Sequence, residues 1–228
     1  MYDTYSIVPE KHFSDALDEF ERVTGIVDYF VAGGAALANA LPMASKTYSD
    51  VDFYVQESLI LKYYERISKA FYASGYSFTA PRWLVHMQII PIADDTPLTA
   101  VLDDFDLTVC RVGYDSNKDE WTYDTTLCGP ILFGTPLRGL VNLNALVAIG
   151  SRLKTLARIQ KYANRYELPT SEIAINLPED LEIYRNAALK EFLTGSHTND
   201  YPENEVYLRI LDKVGRSQKL KRQVRIEF

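Results

Sequence analysis

GGAALANALPMASKTYSDVDFYV, residues 33–55, decides the fold class. It follows an apolar, β-branched run, residues 26–32 (IVDYFVA), that predicts a strand. Gly33-Gly34 break the run. Residues 35–41 are rich in Ala and Leu and predict a short helix, which Pro42 ends. Residues 51–55 (VDFYV) predict a second strand. Side chains alternate between the two faces of a strand, so Asp50 and Asp52 share one face while Val51 and Phe53 point into a core. Two adjacent carboxylates repel each other unless a divalent cation lies between them. Magnesium suits such a site, because it takes few carboxylates and fills its shell with phosphate oxygens and water.

A third acid stands downstream. In VLDDFDLTVCRV, residues 101–112, Asp106 alternates with Phe105, Leu107 and Val109 inside a run, 105–113, that predicts a strand. An aspartate is disfavoured there unless it has a task. Asp104 falls on the same face and competes with Asp106, which is preferred because Asp104 sits nearer the turn. Cys110 shares the Asp106 face and reads as a small buried hydrophobe. Arg111 faces the other way, as a structural or rim residue.

Gly-Gly after a strand, Ser-Asp-x-Asp opening the next, and a later lone Asp resemble the nucleotidyltransferases of the DNA-polymerase-β type. The resemblance covers roughly residues 26–170. The segment 33–55 is most similar to the tRNA-nucleotidyltransferase and poly(A)-polymerase branch and its small viral or phage relatives, and FDLTVCRVGYD resembles their third-carboxylate strand. The resemblance implies an α+β fold, a mixed sheet flanked by helices and followed by a helical C-terminal part. It implies transfer of a nucleoside monophosphate from an NTP to an acceptor hydroxyl, with pyrophosphate released by two-metal in-line displacement. Asp50, Asp52 and Asp106 would hold two Mg2+ ions, Mn2+ being the alternative. Gly33 and Gly34 would let backbone N–H groups approach the triphosphate, with Ser49 beside a phosphate. RNA, tRNA included, is the leading acceptor class; a protein or small-molecule acceptor is the alternative, and a non-catalytic nucleotide-binding or interaction module is the rival. One departure narrows the expectation. The tRNA-nucleotidyltransferase branch carries an Arg-Asp pair two residues after Gly-Gly, where this chain has Leu37-Ala38, and the loop from glycine to aspartate is longer. Nucleotidyl transfer in general is expected, not CCA addition in particular.

The rest of the chain supplies scaffold and one further constellation. Residues 10–24 predict an amphipathic helix with Phe13, Leu17 and Phe20 on its apolar face, stopped by Gly25. Residues 57–73 predict a helix ending near Gly75, residues 84–90 a strand, and residues 114–136 turns with one further short strand. His86 and Gln88 in that 84–90 strand read as buried or edge positions rather than catalytic ones. From Leu140 the periodicity is helical, with helices expected at about 140–166, 179–194 and 203–213 and a loop at 195–202. Residues 1–136 are thus expected to form the catalytic domain and 137–228 a helical domain. Lys154, Arg158, Lys161 and Arg165 recur at spacings of four, three and four, which puts them within an arc of about 60° on a helix, opposite Leu153, Leu156, Ala157 and Ala163. A solvated face is one outcome; the resemblance makes Lys154, Arg158 and Lys161 nucleotide-binding candidates. The C-terminal run Lys213, Arg216, Lys219, Lys221, Arg222 and Arg225 reads as a solvated tail, with an acceptor-binding arm as the alternative. Glu179-Asp180, followed by Arg185, read as acids that complement a helix N-terminus.

The 228 residues carry a formal net charge of −7, so contact with nucleic acid would need a local basic face. Two cysteines and three scattered histidines give neither a disulfide framework nor zinc-ligand spacing. The N-terminus lacks a basic segment followed by an apolar run, and no stretch approaches eighteen apolar residues. A soluble, cytoplasmic setting without membrane or obligate protein partner is expected.

Overall fold

The computed structural model describes residues 1–5, 11–42, 48–74, 77–80, 86–137, 152–166 and 205–224. Its central strand, β3 (Asp50–Gln56), follows the alternation of its sequence. Val51, Phe53 and Val55 are wholly buried on one face, while Asp50, Asp52, Tyr54 and Gln56 are half-buried on the other. β2 (Phe30–Ala32) runs antiparallel on one side of β3, with Ala32 opposite Asp52. β6 (His86–Ile92) runs parallel on the other side, with His86 opposite Asp50 and Gln88 opposite Asp52. A parallel pair needs a crossover connection, which begins with helix α3 (Glu57–Ala70) and includes the antiparallel strands β4 (Tyr72–Ser74) and β5 (Ser77–Ala80). With β1 (Tyr2–Tyr5), β7 (Val112–Asp115) and β8 (Glu120–Asp124), the described strands make one mixed sheet of order β1-β8-β7-β2-β3-β6-β5-β4.

The Phe53 face carries the larger core. Helix α1 (Lys11–Thr24) buries Phe13, Leu17 and Phe20, as its spacing predicts. Phe20 stacks on Phe53 with ring centroids 3.9 Å apart. Gly25 ends the helix in a left-handed conformation, φ +77°, and donates its N–H to the Glu21 carbonyl at 2.7 Å, a cap glycine accepts without strain. Helix α7 (Glu205–Val224) packs on this side through Tyr207 and Ile210, whereas α6 (Arg152–Arg165), with Ile159 and Tyr162 buried, bears on the other face. Tyr207 packs edge-on against Phe78 of β5. α7 is fastened to the start of α3, where buried Glu57 accepts from Arg209 at 3.0 Å and Lys213 at 2.6 Å. Lys213 is therefore an ion-pair residue, and the helix expected to end near residue 213 runs on to Val224.

The opposite face holds the acids. The start of α2 (Gly34–Ala40) follows β2 directly, and α4 (Leu98–Asp103) closes over the β7 end of the sheet. A Cβ on Gly113 would come within 2.7 Å of Leu98 Cδ1 and 3.2 Å of the Val31 carbonyl oxygen, so a larger residue would press on α4 and on β2. The short helix α5 (Cys128–Phe133) follows β8.

The strand expected over 105–113 is corrected. A 3-10 turn occupies Thr108–Cys110 and the strand begins only at Val112. Phe105 through Cys110 are all buried, so the run lacks the in–out contrast of a half-exposed strand. Local bonds, Cys110 N–H to Leu107 O and Arg111 N–H to Thr108 O, both 3.0 Å, replace a ladder. Asp106 therefore sits in the connection after α4. The run 26–32 is a strand only over its last three residues. The expected helix 179–194, with Glu179, Asp180 and Arg185, lies outside the described residues, as does the loop 195–202. Among the described residues no helix is long and apolar enough to cross a membrane.

Replacing Phe20 with Ala should cost about 3–5 kcal/mol of stability, read from urea unfolding, because the cavity faces Phe53. Phe133→Ala, at a side chain that is 76% exposed, should stay within about 0.5 kcal/mol of the parent.

Candidate active site

Asp50 and Asp52 lie two residues apart on the half-buried face of β3. Ser49 Oγ donates to Asp50 Oδ1 at 2.6 Å. Asp52 has no such help: its Oδ1 is buried and, among the described residues, accepts no hydrogen bond. Burial first, and then the Asp50 charge, push the Asp52 carboxyl up to about 7, against the pull of Arg158 and Lys161. A buried oxygen without a donor is costly, and this one lies beside a second carboxylate. A cation is the chemical group that would relieve both penalties, so the pair fits a hard divalent ion.

Two basic residues reach this face from α6. Lys161 is exposed, whereas Arg158 is half-buried and held on several sides. Arg158 Nη1 lies 3.3 Å from Asp106 Oδ1, Nη2 lies 3.7 Å from Cys110 Sγ, and the guanidinium stands 5.7 Å from the centre of the Phe105 ring. The first turn of α6 supplies Thr155, buried, whose Oγ1 donates to Asp106 Oδ2 at 2.6 Å. Arg165 lies over the Tyr162 ring, 5.7 Å from its centre. The Lys154 side chain lies outside the described residues, as do those of Leu153, Leu156, Ala157 and Ala163.

Close packing explains the two glycines. Gly33 has φ +85° and donates to the Val112 carbonyl at 3.0 Å, and a Cβ there would meet the Phe105 ring at 3.1 Å. A Cβ on Gly34 would meet the Tyr162 hydroxyl at 2.9 Å and Arg165 Nη1 at 3.6 Å. Gly-Gly thus brings the start of α2 directly beneath Phe105 and α6.

Asp50 and Asp52 share one face of β3, Ser49 is bonded to Asp50, and Asp52 feels the charges of Arg158 and Lys161, while Gly33 lies against Phe105 and Gly34 against Tyr162 of α6. Asp104 is exposed at the end of α4, its carboxyl pushed up by partial burial and by Asp103. Asp106 is buried and engaged by Thr155 and Arg158. Among the described residues no three His, Cys, Asp or Glu side chains are grouped so as to hold a metal ion. Asp106 thus faces α6 through both of its oxygens. Cys110 is buried, as expected, and its thiol is pushed up by that burial. Arg111 pairs with Asp124 at 3.6 Å, a structural role.

Sequence reasoning missed several neighbours. The parallel register puts His86 and Gln88 on the same face as Asp50 and Asp52, next strand over. Alternation in HMQIIPI showed which residues share a face, but only the pairing shows which strand that face adjoins. Thr155 carried no signal at all, because its partner lies 49 residues away.

No protein-family model matches this chain, and no curated protein matches it. Solved structures do. The Thermotoga maritima CCA-adding enzyme complexed with tRNA superposes with a TM-score of 0.51 at 11% identity, covering 90% of this chain and 51% of that one. The chain shares the fold of the matched part of that enzyme. A tRNA-processing enzyme in an apo form superposes with a TM-score of 0.53 at 14% identity, covering 95% of this chain and 59% of that one. The chain spans little more than half the length of these two proteins. At such identities the likeness establishes a shared fold, the mixed sheet with flanking helices that the sequence implied.

The Asp52 carboxyl sets a pH dependence. Its folded-state value, about 7, lies above that of an unfolded aspartate, so the folded protein holds a proton that the unfolded chain releases. Stability must then fall as pH rises between those two values and stay reduced above them. In metal-free buffer, Asp52→Asn should gain more thermal stability over the parent at about pH 8 than at about pH 5. Equal differences at both pH values in melting curves would show that Asp52 ionises normally.

Proposed function

We propose that the chain is a metal-dependent nucleotidyltransferase that moves a nucleoside monophosphate from an NTP to an acceptor hydroxyl, most readily on RNA, and releases pyrophosphate. The carrying observation is the Asp52 oxygen, buried and without a donor beside Asp50, on a face that Arg158 and Lys161 address. The fold shared with CCA-adding and tRNA-processing enzymes supports the same reaction class and makes RNA the first acceptor to try. CCA addition itself is not proposed, because Leu37-Ala38 stand where an Arg-Asp pair is expected.

Asp50 and Asp52 would hold Mg2+, with Mn2+ as the alternative. Bound there, such ions supply positive charge for the attacking and leaving oxygens of an in-line displacement. The chain's own groups do the rest. Arg158 and Lys161 attract and orient the triphosphate. Gly33 and Gly34 bring the unpaired N–H groups at the start of α2 near those side chains, so that backbone and basic residues address the same phosphates. Ser49, fixed on Asp50, borders the phosphate site. Orientation and charge stabilisation are what phosphoryl-type transfers mainly require of a protein.

A non-catalytic nucleotide-binding module is the second reading, favoured by the absence of a three-acid cluster among the described residues. Incubation with each α-labelled NTP, Mg2+ and total RNA or cell extract separates the two. The enzyme should move label into a product and release pyrophosphate, and Asp50→Asn and Asp52→Asn should each lower that rate at least about 100-fold. Label in RNA, protein or a small molecule names the acceptor class. Labelling that survives both substitutions would contradict the assignment, and nucleotide binding without product would leave the module.

A further inference from the structure

Asp106 is placed for another task than holding a cation. It is 3% exposed and sits in the connection after α4, not on β3 or a strand paired with it. Both of its oxygens turn toward α6. Oδ2 accepts the Thr155 hydroxyl at 2.6 Å, and Oδ1, which has no hydrogen-bond donor, lies 3.3 Å from Arg158 Nη1. Thr155 and Arg158 are three residues apart, so they share one side of the helix, and Asp106 binds the two together. The Arg158 guanidinium is further bounded by Cys110 Sγ and by the face of the Phe105 ring. An arginine on a free helix surface would sample many rotamers and would have to be ordered when it binds an anion. Here that ordering is done in advance by an acid that is itself fixed by a buried hydroxyl, and 38% of the Arg158 side chain stays exposed to meet a ligand.

We infer that Asp106 and Thr155 are positioning residues, which hold Arg158 in a fixed orientation for binding the phosphate groups of a nucleotide, and that Asp106 is not a metal ligand. The inference rests on the nucleotidyltransferase reading for the identity of the phosphate-bearing ligand. It separates two roles that one acidic residue near such a site can play. A cation ligand controls the affinity for the ion; a positioning acid controls the affinity for the anion that its arginine meets.

The test is calorimetry with two probes, pyrophosphate and Mg2+ alone, on the full chain. The parent should bind pyrophosphate. Asp106→Asn and Thr155→Val should weaken that binding about tenfold, the scale of one lost charge-assisted bond, while Thr155→Ser, which keeps the hydroxyl, should bind like the parent. Mg2+ affinity should be unchanged in all three and lost in Asp52→Asn. Near-unchanged melting of Thr155→Val and Thr155→Ser keeps the comparison free of unfolding if Asp106→Asn is unstable. The inference is overturned if Asp106→Asn lowers Mg2+ affinity as Asp52→Asn does, if Thr155→Val and Thr155→Ser bind pyrophosphate equally, or if the parent binds no pyrophosphate. Absence of nucleotide transfer with pyrophosphate binding intact would overturn the proposed reaction and leave the positioning role standing.

Discussion

Two carboxylates on neighbouring positions of one strand face, one of them with a buried and unpaired oxygen, cannot both be ionised at low cost. The strand leaves little choice. Its other face holds Val51, Phe53 and Val55 at the centre of the core, and a slip of one residue would bury the acids and expose those side chains. Register therefore fixes where the negative charge goes. What remains is how that charge is met, and the surrounding structure is arranged around the answer. Arg158 and Lys161 approach from α6, and the Asp52 carboxyl still stays well above its ordinary value. The two basic side chains reduce the penalty without removing it, which leaves room for a cation.

The approach of α6 depends on absent side chains as much as on present ones. Gly33 and Gly34 admit the Phe105 ring and the Tyr162 hydroxyl at distances that a Cβ would crowd. Gly113 does the same for α4 through Leu98. These close contacts lower the site's roof onto the sheet. The Thr155–Asp106–Arg158 contacts then set the direction of one positive charge beneath it. On the opposite face, the Glu57 pairs with Arg209 and Lys213 hold α7 against the crossover helix, so both flanking helices from the C-terminal part bear on the same sheet.

Local pattern carried much of this and failed where contacts are distant. Alternation located β3 and its two faces, and helical spacing located α1 and the arc of Arg158, Lys161 and Arg165, because both are properties of consecutive residues. Asp106 also showed alternation with Phe105, Leu107 and Val109, but every residue from Phe105 to Cys110 is buried. Period-two spacing does not distinguish a strand from a fully enclosed connection, and the burial of an acid there was satisfied by Thr155 and Arg158 rather than by a sheet ladder. β1, β4 and β5 are three or four residues long, too short for a period to register. His86 and Gln88 were placed on a strand by composition, yet their position beside the two aspartates follows from a parallel pairing across a crossover that no local signal encodes.

The central claim is that the Asp50–Asp52 face is completed by a divalent cation and then receives a nucleotide. Calorimetric titration of each NTP, with and without Mg2+, into the parent and into Asp52→Ala tests it most directly. Saturable NTP binding that requires Mg2+ and disappears in Asp52→Ala is the predicted result. No metal-dependent binding, or binding that Asp52→Ala leaves unchanged, would contradict it.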